Sequence, residues 1–433
     1  MKTSISRLLR YSIGPAVAAA VLLTITPCIW AWQNSDDEKP AADVATETTD
    51  EAAAEEAPVD PLVVPDGTPA ELTQYLDELA KYRPAIRTRD ELIKFTTDQA
   101  TAMLGAANKI LENEVKPTDE EIERAIQAKL QAFSRFPGSG NKDEIHSVIE
   151  EAKSLPEQLE KLELKQYVKQ ARVTLLNLKT KVALQEAIAQ KDTAPIKEAL
   201  SELKALVVES GSDIDRGELN LISIVIRNVA VVGPMLGDNE IGLATYKDFS
   251  KLLQESENEM AISLAKSFEG TIRREELPGN PMPLAGFKLD GTPFNIDELE
   301  GKVVLVDFWA TWCGPCLGEI PFMTEAYKAY HEKGFEIVGV SVDRDLDALK
   351  QFVEKRQTPW IILADTQPDR EDYVQQASYY GVSGIPTMIL IGKDGKVIST
   401  KARGSVLETE LAKIFGPIPK EEAAEEEAEQ TAE

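Results

Sequence analysis

Two cysteines separated by two residues carry the clearest chemistry in this sequence. Cys313 and Cys316 enclose Gly314 and Pro315 in the stretch WATWCGPC, which follows an apolar run and precedes a helical pattern. Backbone N–H groups and the dipole at a helix N-terminus stabilise an anion, so the first thiol should favour its thiolate form. Cys313 would then be the nucleophile, and Cys316, one turn later, would resolve a mixed disulfide. Pro315 suits an early helical position because it has no N–H to lose, and Gly314 keeps the approach open.

Two other roles for the pair have less support. A structural zinc site normally needs four ligands, but the sequence has no second cysteine pair, and His331 is the only histidine in this region. A purely structural disulfide across two intervening residues closes almost no loop and would stabilise the fold little. We therefore predict a redox-active disulfide between Cys313 and Cys316, with no metal ligands and no other cofactor.

The N-terminus resembles a targeting segment. Three basic residues precede an apolar run from Tyr11 to Ile25, and a small residue, Ala31, follows. This order predicts a signal peptide or N-terminal anchor over residues 1–31 and therefore an exported protein, in the periplasm or at the outer face of a membrane. The run is short for a spanning helix, although an uncleaved anchor remains an alternative. Cys28 adds a third alternative, lipid attachment.

Acidic residues are concentrated near both ends of the chain. Residues 36–60 and 420–433 carry −9 and −6 of the net charge of −27, and neither stretch contains an aromatic residue. Such segments cannot bury enough apolar surface to fold, so we predict a disordered linker over 32–66 and a disordered tail over 417–433. A polyanionic chain also argues against nucleic-acid binding, which requires cationic groups to neutralise phosphates.

Residues 67–270 are predicted to form an all-α domain, either a helical bundle or a short solenoid. Three threonines, each followed three residues later by glutamate, mark helix starts at Thr68, Thr88 and Thr118. Leu219–Val232 is rich in Ile and Val, but we interpret it as a buried helix. The later helices are predicted at about 142–154, 157–191, 194–209, 214–232 and 239–268. This domain could bind a protein partner, and its role is otherwise open.

After a proline-rich linker over 271–283, the pattern changes to alternating strands and helices. A hairpin is predicted around Asp290-Gly291, and Val303–Trp309 is a continuous apolar run interrupted by Asp307. The pattern over residues 284–416 therefore predicts an α/β domain whose central mixed sheet has helices on both faces.

The site motifs resemble those of the thioredoxin superfamily. The stretch from Val306 to Cys316 is similar to the thioredoxin active-site sequence, and Gly384-Ile385-Pro386-Thr387 is similar to the loop that carries a cis-proline beside the disulfide. The stretch from Cys316 to Pro321 and the preceding hairpin resemble the exported TlpA/ResA-like thiol-disulfide oxidoreductases. The resemblance covers about 284–416 and implies a thioredoxin-like fold.

The resemblance also implies site residues beyond the two cysteines. Asp307 matches a buried aspartate of the thioredoxin family, and Glu319 matches a glutamate of the exported branch. A buried carboxyl has a raised pKa and can transfer a proton to a leaving thiolate, although Glu319 could equally be a solvated helix carboxylate. Pro386 is implied to lie beside the disulfide. Where the family has a lysine near the aspartate, this chain has Gly339, which puts that ion pair in doubt.

Further residues are assigned to substrate binding. These are Trp312, Gly314, Pro315 and Ile385, and Trp309 and Trp312 are expected to pack around the pair. The expected activity is reduction of protein disulfides, with protein thiols or disulfides as clients and a membrane dithiol as electron donor. One alternative is a helical scaffold protein that uses the thioredoxin fold for docking. Another is a peroxiredoxin-like peroxidase, although Ala310 replaces the threonine of that motif.

Overall fold

The computed structural model of the protein describes residues 60–138, 142–366 and 374–418. The predicted signal segment, most of the acidic linker and nearly all of the acidic tail lie outside these ranges. The chain divides into two compact units between Thr245 and Tyr246.

The first unit is helical, as the sequence predicts. Its helices are α1 (Pro69–Lys81), α2 (Arg89–Leu111), α3 (Asp119–Arg135), α4 (Lys142–Lys161), α5 (Val168–Gln190), α6 (Ala194–Ser210), α7 (Arg216–Met235) and the start of α8 (Ile241–Gln254). Buried leucine, alanine and aromatic side chains from α1 to α5 form one continuous core, which includes Leu76, Met103, Ile126, Phe133 and Leu159.

The three predicted helix starts are confirmed. The hydroxyls of Thr68, Thr88 and Thr118 each accept a hydrogen bond from the backbone N–H three residues later, and the glutamate there bonds back to the threonine N–H. Each reciprocal pair satisfies two donors that a helix N-terminus would otherwise leave unpaired.

Other helix boundaries differ from the prediction. Helix α4 continues through Pro156 to Lys161 instead of stopping near 154. The predicted helix 157–191 is interrupted where Glu163 adopts a positive φ of 61°. The predicted helix 239–268 is two helices, because Asn258 caps a new helix through its side-chain oxygen.

Helix α7 is the most apolar helix of the first unit. Its length and composition would allow it to cross a membrane, but 56% of its 18-residue apolar stretch is buried within the protein. Asp215 caps its N-terminus, and Glu218 completes the reciprocal capping pair. The packing is that of a core helix, which confirms helix rather than strand for Leu219–Val232.

The second unit is built on a five-stranded mixed sheet. The sheet contains β3 (Val303–Trp309), β4 (Phe335–Ser341), β5 (Ile361–Ala364), β6 (Thr387–Ile391) and β7 (Val397–Ser399), and two earlier strands, β1 (Ala285–Phe287) and β2 (Pro293–Asn295), lie outside it. The helices of this unit are α9 (Glu259–Glu275), α10 (Gly314–Tyr330), α11 (Leu346–Arg356), α12 (Gln376–Tyr379) and α13 (Ser405–Phe415). The sheet order is β5-β4-β3-β6-β7, and β1 and β2 form a separate hairpin. Strand β3 is parallel to β4 and antiparallel to β6.

Both faces of the sheet are covered. Every residue of β3 is buried, and alternate residues contribute to two different hydrophobic clusters. Val303, Leu305 and Trp309 belong to the cluster that contains both Cys313 and Cys316. Because side chains alternate along a strand, Asp307 faces this same cluster.

The structure places the boundary of the second unit earlier than the sequence predicts. Helix α9 belongs to this unit and ends at Glu275, inside the predicted linker 271–283. Pro278 and Pro281 then form bridges with Val397 and Lys396 at β7. The prolines suggested a free linker, but this segment lies along the edge of the sheet.

Candidate active site

The cysteine pair lies at the junction of β3 and α10. Cys313 is the N-cap residue of α10, and its Sγ accepts a hydrogen bond of 3.2 Å from the backbone N–H of Cys316. The two cysteines form a disulfide with an S–S distance of 2.06 Å. Pro315 lies in the first turn of the helix, as predicted. The sulfur of Cys313 therefore lies where the helix N–H groups would stabilise a thiolate.

A loop from the other end of the domain completes the surroundings of Cys313. The carbonyl oxygen of Ile385 lies 3.8 Å from the Cys313 Sγ. The Ile385–Pro386 peptide bond is cis, as the resemblance implies. Thr387 begins β6 and pairs with Phe308 of β3, which fixes the loop beside the end of β3.

The residues that the sequence assigns to substrate binding occupy different environments. Trp312 is 70% exposed beside the disulfide. A Cβ at Gly314 would have no neighbour within 4 Å, so the approach to the pair is open at this position. Trp309, by contrast, is buried in the cluster that contains both cysteines and packs against Phe352, so only Trp312 of the two tryptophans is exposed.

Asp307 is an almost completely buried carboxyl on β3, the strand that leads to the cysteine pair. Its pKa is raised to about 7, mainly by burial and also by the negative charge of Glu319, while the positive charge of Arg403 acts in the opposite direction. Within the described residues its Oδ1 has no hydrogen-bond partner. A carboxyl in this state can exchange a proton near neutral pH.

Glu319 is not a solvated helix carboxylate. Its side chain is 12% exposed, and its Oε1 lies 2.5 Å from the Nε of Arg403. Arg403 is half exposed and lies 84 residues further along the chain. Arg403 was not among the predicted site residues, because a single arginine between a strand and a helix gives no local signal.

Glu319 and Arg403 should shift the pKa of Asp307 in opposite directions. Because the Glu319 charge raises this pKa, Glu319→Gln should lower it, whereas Arg403→Ala should raise it. The titration of the Asp307 carboxyl carbon by NMR measures both changes. Equal shifts in the same direction would contradict this electrostatic account. Because Arg403 is half exposed, its ion pair with Glu319 should contribute at most about 1 kcal/mol to stability.

The family's lysine position is occupied by a glycine, as noted from the sequence. Gly339 is the register partner of Asp307 across β3 and β4. A Cβ at Gly339 would lie 2.8 Å from Cδ1 of Ile362 and 2.9 Å from Nε1 of Trp309. The Trp309 indole therefore fills the space that a side chain at position 339 would need. The positive charge that lowers the pKa of Asp307 comes from Arg403 instead of from a lysine at position 339.

Asp343 holds the segment that leads into the cysteine pair. Its buried carboxylate accepts hydrogen bonds from the backbone N–H of Thr311 at 2.9 Å and from the Thr311 hydroxyl at 2.7 Å. The hydroxyl of Ser341 donates a third bond, also 2.7 Å long. Three bonds to one charged group fix the residues just before Cys313.

Replacing Asp343 should cost more than replacing a capping aspartate nearby. Asp343→Ala leaves the part-buried donors of Thr311 and the buried hydroxyl of Ser341 without their acceptor and should destabilise the protein by about 3 kcal/mol. Asp345, which caps α11, is the matched control, and Asp345→Ala should cost about 1 kcal/mol. Urea unfolding of both variants measures the difference. An equal loss of stability in both variants would show that the hydrogen bonds between Asp343 and Thr311 do not stabilise the fold.

Within the described residues, no group of three or more His, Cys, Asp or Glu side chains could hold a metal ion.

The sheet order, the cis peptide bond and the cysteine pair define a thioredoxin-like domain, in which the Cys-x-x-Cys disulfide lies at the start of the first long helix after the central strand.

Comparison with known proteins agrees with this class. Residues 277–414 match the Redoxin family. The thiol-disulfide oxidoreductase ResA of Bacillus anthracis is 38% identical over 110 residues, which cover 25% of this chain and 60% of that protein. Nucleoredoxin from Bos taurus is 35% identical over 153 residues, 34% of each chain. The C-terminal third of the chain is therefore a redoxin domain with a thioredoxin-like fold.

These matches cover only part of the proteins involved. The chain spans about 60% of the length of the ResA proteins that it matches. Among solved structures, the thioredoxin domain of a thiol-disulfide oxidoreductase from Bacteroides vulgatus is 32% identical and covers 32% of this chain and 96% of that domain, with a TM-score of 0.29.

Proposed function

We propose that this protein is an exported thiol-disulfide oxidoreductase that reduces disulfides in other proteins. The observation that carries the proposal is the Cys313–Cys316 disulfide at the N-terminus of α10, which follows the strand that holds the buried carboxyl of Asp307. The ResA relatives are thiol-disulfide oxidoreductases by name. Export is supported by the signal-like segment 1–31 of the sequence.

The reaction starts from the reduced pair. The Cys313 thiolate attacks one sulfur of the client disulfide, forming a mixed disulfide and releasing the other client sulfur as a thiolate, which takes up a proton. Cys316 loses its proton to Asp307 and attacks the Cys313 sulfur, so the second client sulfur leaves as a thiolate, which takes up that proton. The client gains two electrons and two protons, and the pair is oxidised to the disulfide.

Each surrounding residue has a proposed part in these steps. Asp307, with a pKa of about 7, accepts the proton of Cys316, and Glu319 tunes that carboxyl by its charge. The exposed Trp312 and the loop of Ile385 and Pro386 contact the client chain next to Cys313.

The oxidised pair requires an external electron source. We propose a membrane dithiol as the donor, protein disulfides or thiols as the clients, and no cofactor besides the redox-active disulfide. The helical first unit would select clients by protein–protein contact. Deletion of residues 61–245 should then abolish capture of clients while turnover of a small disulfide continues, and unchanged capture would contradict this role.

Trapping in cells tests the proposed function. In a chain that also carries Cys28→Ser, Cys316→Ser should accumulate mixed disulfides between Cys313 and client proteins, because the resolving thiol is absent. The matched control is the same chain with Cys313→Ser added. Capture of the same proteins by both chains would show that Cys313 is not the attacking thiol.

A further inference from the structure

Helix α9 lies outside the redoxin match but packs on a loop of the redoxin domain. The match begins at residue 277, whereas α9 ends at Glu275 and belongs to the same compact unit as the sheet. Its last two turns contact residues 379–381, at the end of α12. This contact connects α9 to the loop that carries Ile385.

The contact depends on two glycines. A Cβ at Gly270 would lie 2.5 Å from the backbone nitrogen of Gly381 and 2.8 Å from its Cα. A Cβ at Gly381 would lie 2.3 Å from the backbone nitrogen of Thr271, and Gly381 has a φ of +55°. Neither distance is compatible with a side chain, so α9 and the loop meet backbone to backbone.

Two arginines add polar contacts at the same place. The Nη1 of Arg274 donates to the carbonyls of Tyr380 at 3.0 Å and Gly381 at 2.7 Å. The Arg273 guanidinium lies 3.8 Å from the ring centroid of Tyr379 and donates to the carbonyl of that residue. Carbonyls at the end of α12 thus receive charged donors from α9.

The anchored segment leads directly to the disulfide. Ile385 follows Gly381 by four residues, and its carbonyl oxygen lies 3.8 Å from the Cys313 Sγ. Between them, Val382 donates to the carbonyl of Ala377 at 2.8 Å, and at the far end Thr387 enters β6. The position of Ile385 therefore depends in part on contacts at both ends of this segment, with β6 at one end and with α9 at the other.

We propose that α9, through Gly270 and Arg274, is a positioning element of the reaction, which holds the 381–385 loop so that Ile385 faces Cys313 and the client chain. This inference rests on the proposed function. It implies that a chain cut at the start of the redoxin match would keep the cysteine pair but lose the contact between the loop and α9.

The test uses the full chain with Arg274→Gln and, separately, Gly270→Ala, with the exposed Lys266→Ala on the same helix as control. For reduction of a disulfide-bonded peptide, we expect KM to rise about tenfold in both variants, which corresponds to about 1.4 kcal/mol. The rate at which iodoacetamide alkylates reduced Cys313 should stay within about twofold, because the helix N-terminus that holds the thiol is unchanged. An unchanged KM, or an equal loss in both measurements, would overturn the proposal.

Hydrogen exchange gives a second measurement that does not depend on turnover. Backbone amides of residues 382–385 should exchange faster in Arg274→Gln than in Lys266→Ala, by about tenfold, because one anchor of the loop is weakened. Unchanged protection would overturn the positioning role of α9. Failure of the unaltered chain to reduce any disulfide would instead contradict the proposed function. The hydrogen-exchange comparison would still test whether α9 holds the loop.

Discussion

Cys313→Ser should lower the rate of disulfide reduction by on the order of a thousandfold or more, because the thiol that attacks the client disulfide is absent. A serine hydroxyl at this position is not a thiolate and cannot exchange with a disulfide. The change is small in volume and lies at the N-cap, where serine is a favoured residue, so folding should be preserved. The measurement is steady-state reduction of a disulfide-bonded peptide with dithiothreitol as the electron source.

Cys316→Ser is the matched control for this prediction. It removes the resolving thiol but leaves the attacking thiol, so the first exchange should continue and stop at the mixed disulfide. If Cys313→Ser kept full activity while Cys316→Ser lost it, the roles of the two cysteines would be reversed. Retained activity in both variants would remove the pair from the reaction.

Asp307→Asn should make the oxidised protein more stable and its reduced form a slower catalyst. The pKa of Asp307 is raised from 3.8 to about 7 in the folded protein, mainly by burial. The folded state therefore binds a proton that the unfolded state has released between these pH values. The stability from this proton is complete below about pH 4 and is lost as the pH rises through about 7.

The interval between the two pKa values sets the size of the effect. At about 1.4 kcal/mol per pH unit, this interval corresponds to about 4 kcal/mol. Asp307→Asn should therefore increase the free energy of unfolding by up to that amount at pH 8 and by little at pH 4. Asp297→Asn, at an exposed carboxylate, should change stability by less than about 0.5 kcal/mol. Urea unfolding at several pH values measures the difference. A gain that does not vary with pH would contradict the raised pKa.

Activity should move in the opposite direction from stability. If Asp307 takes the proton of Cys316, Asp307→Asn should lower the rate of resolution by about a hundredfold at pH 7. The change in the rate of resolution with pH near pH 7 should also disappear in this variant, because the titrating carboxyl is absent. A faster or unchanged rate would leave Asp307 as a buried carboxyl without a part in proton transfer.

The sequence was sufficient where the determining contacts are local. The helix starts at Thr68, Thr88 and Thr118 were predictable because hydroxyl and carboxylate lie three residues apart. Strand β3 was predictable because a continuous run of apolar residues marks a strand buried on both faces. The cysteine pair followed for the same reason, since its neighbours in sequence also surround it in space.

Contacts between distant segments were not predictable from local pattern. Arg403 reaches Glu319 only because the end of β7 and the start of α10 meet in the folded domain, and Asp343 meets Thr311 only because β4 ends beside β3. Helix α9 was assigned to the helical domain because its pattern is like that of the preceding helices. Its packing on Gly381 depends on a glycine more than a hundred residues away, which periodicity does not reveal.

The central claim is that Cys313 and Cys316 exchange two electrons with a disulfide. Its most direct test mixes the fully reduced chain, carrying Cys28→Ser, with one equivalent of oxidised glutathione, followed by acid quenching, alkylation and peptide mass mapping. The account predicts that both cysteines escape alkylation, that the peptide containing them loses two hydrogens as the disulfide forms, and that two glutathione thiols appear per chain. If both cysteines remain free to alkylate while oxidised glutathione persists, the account is wrong.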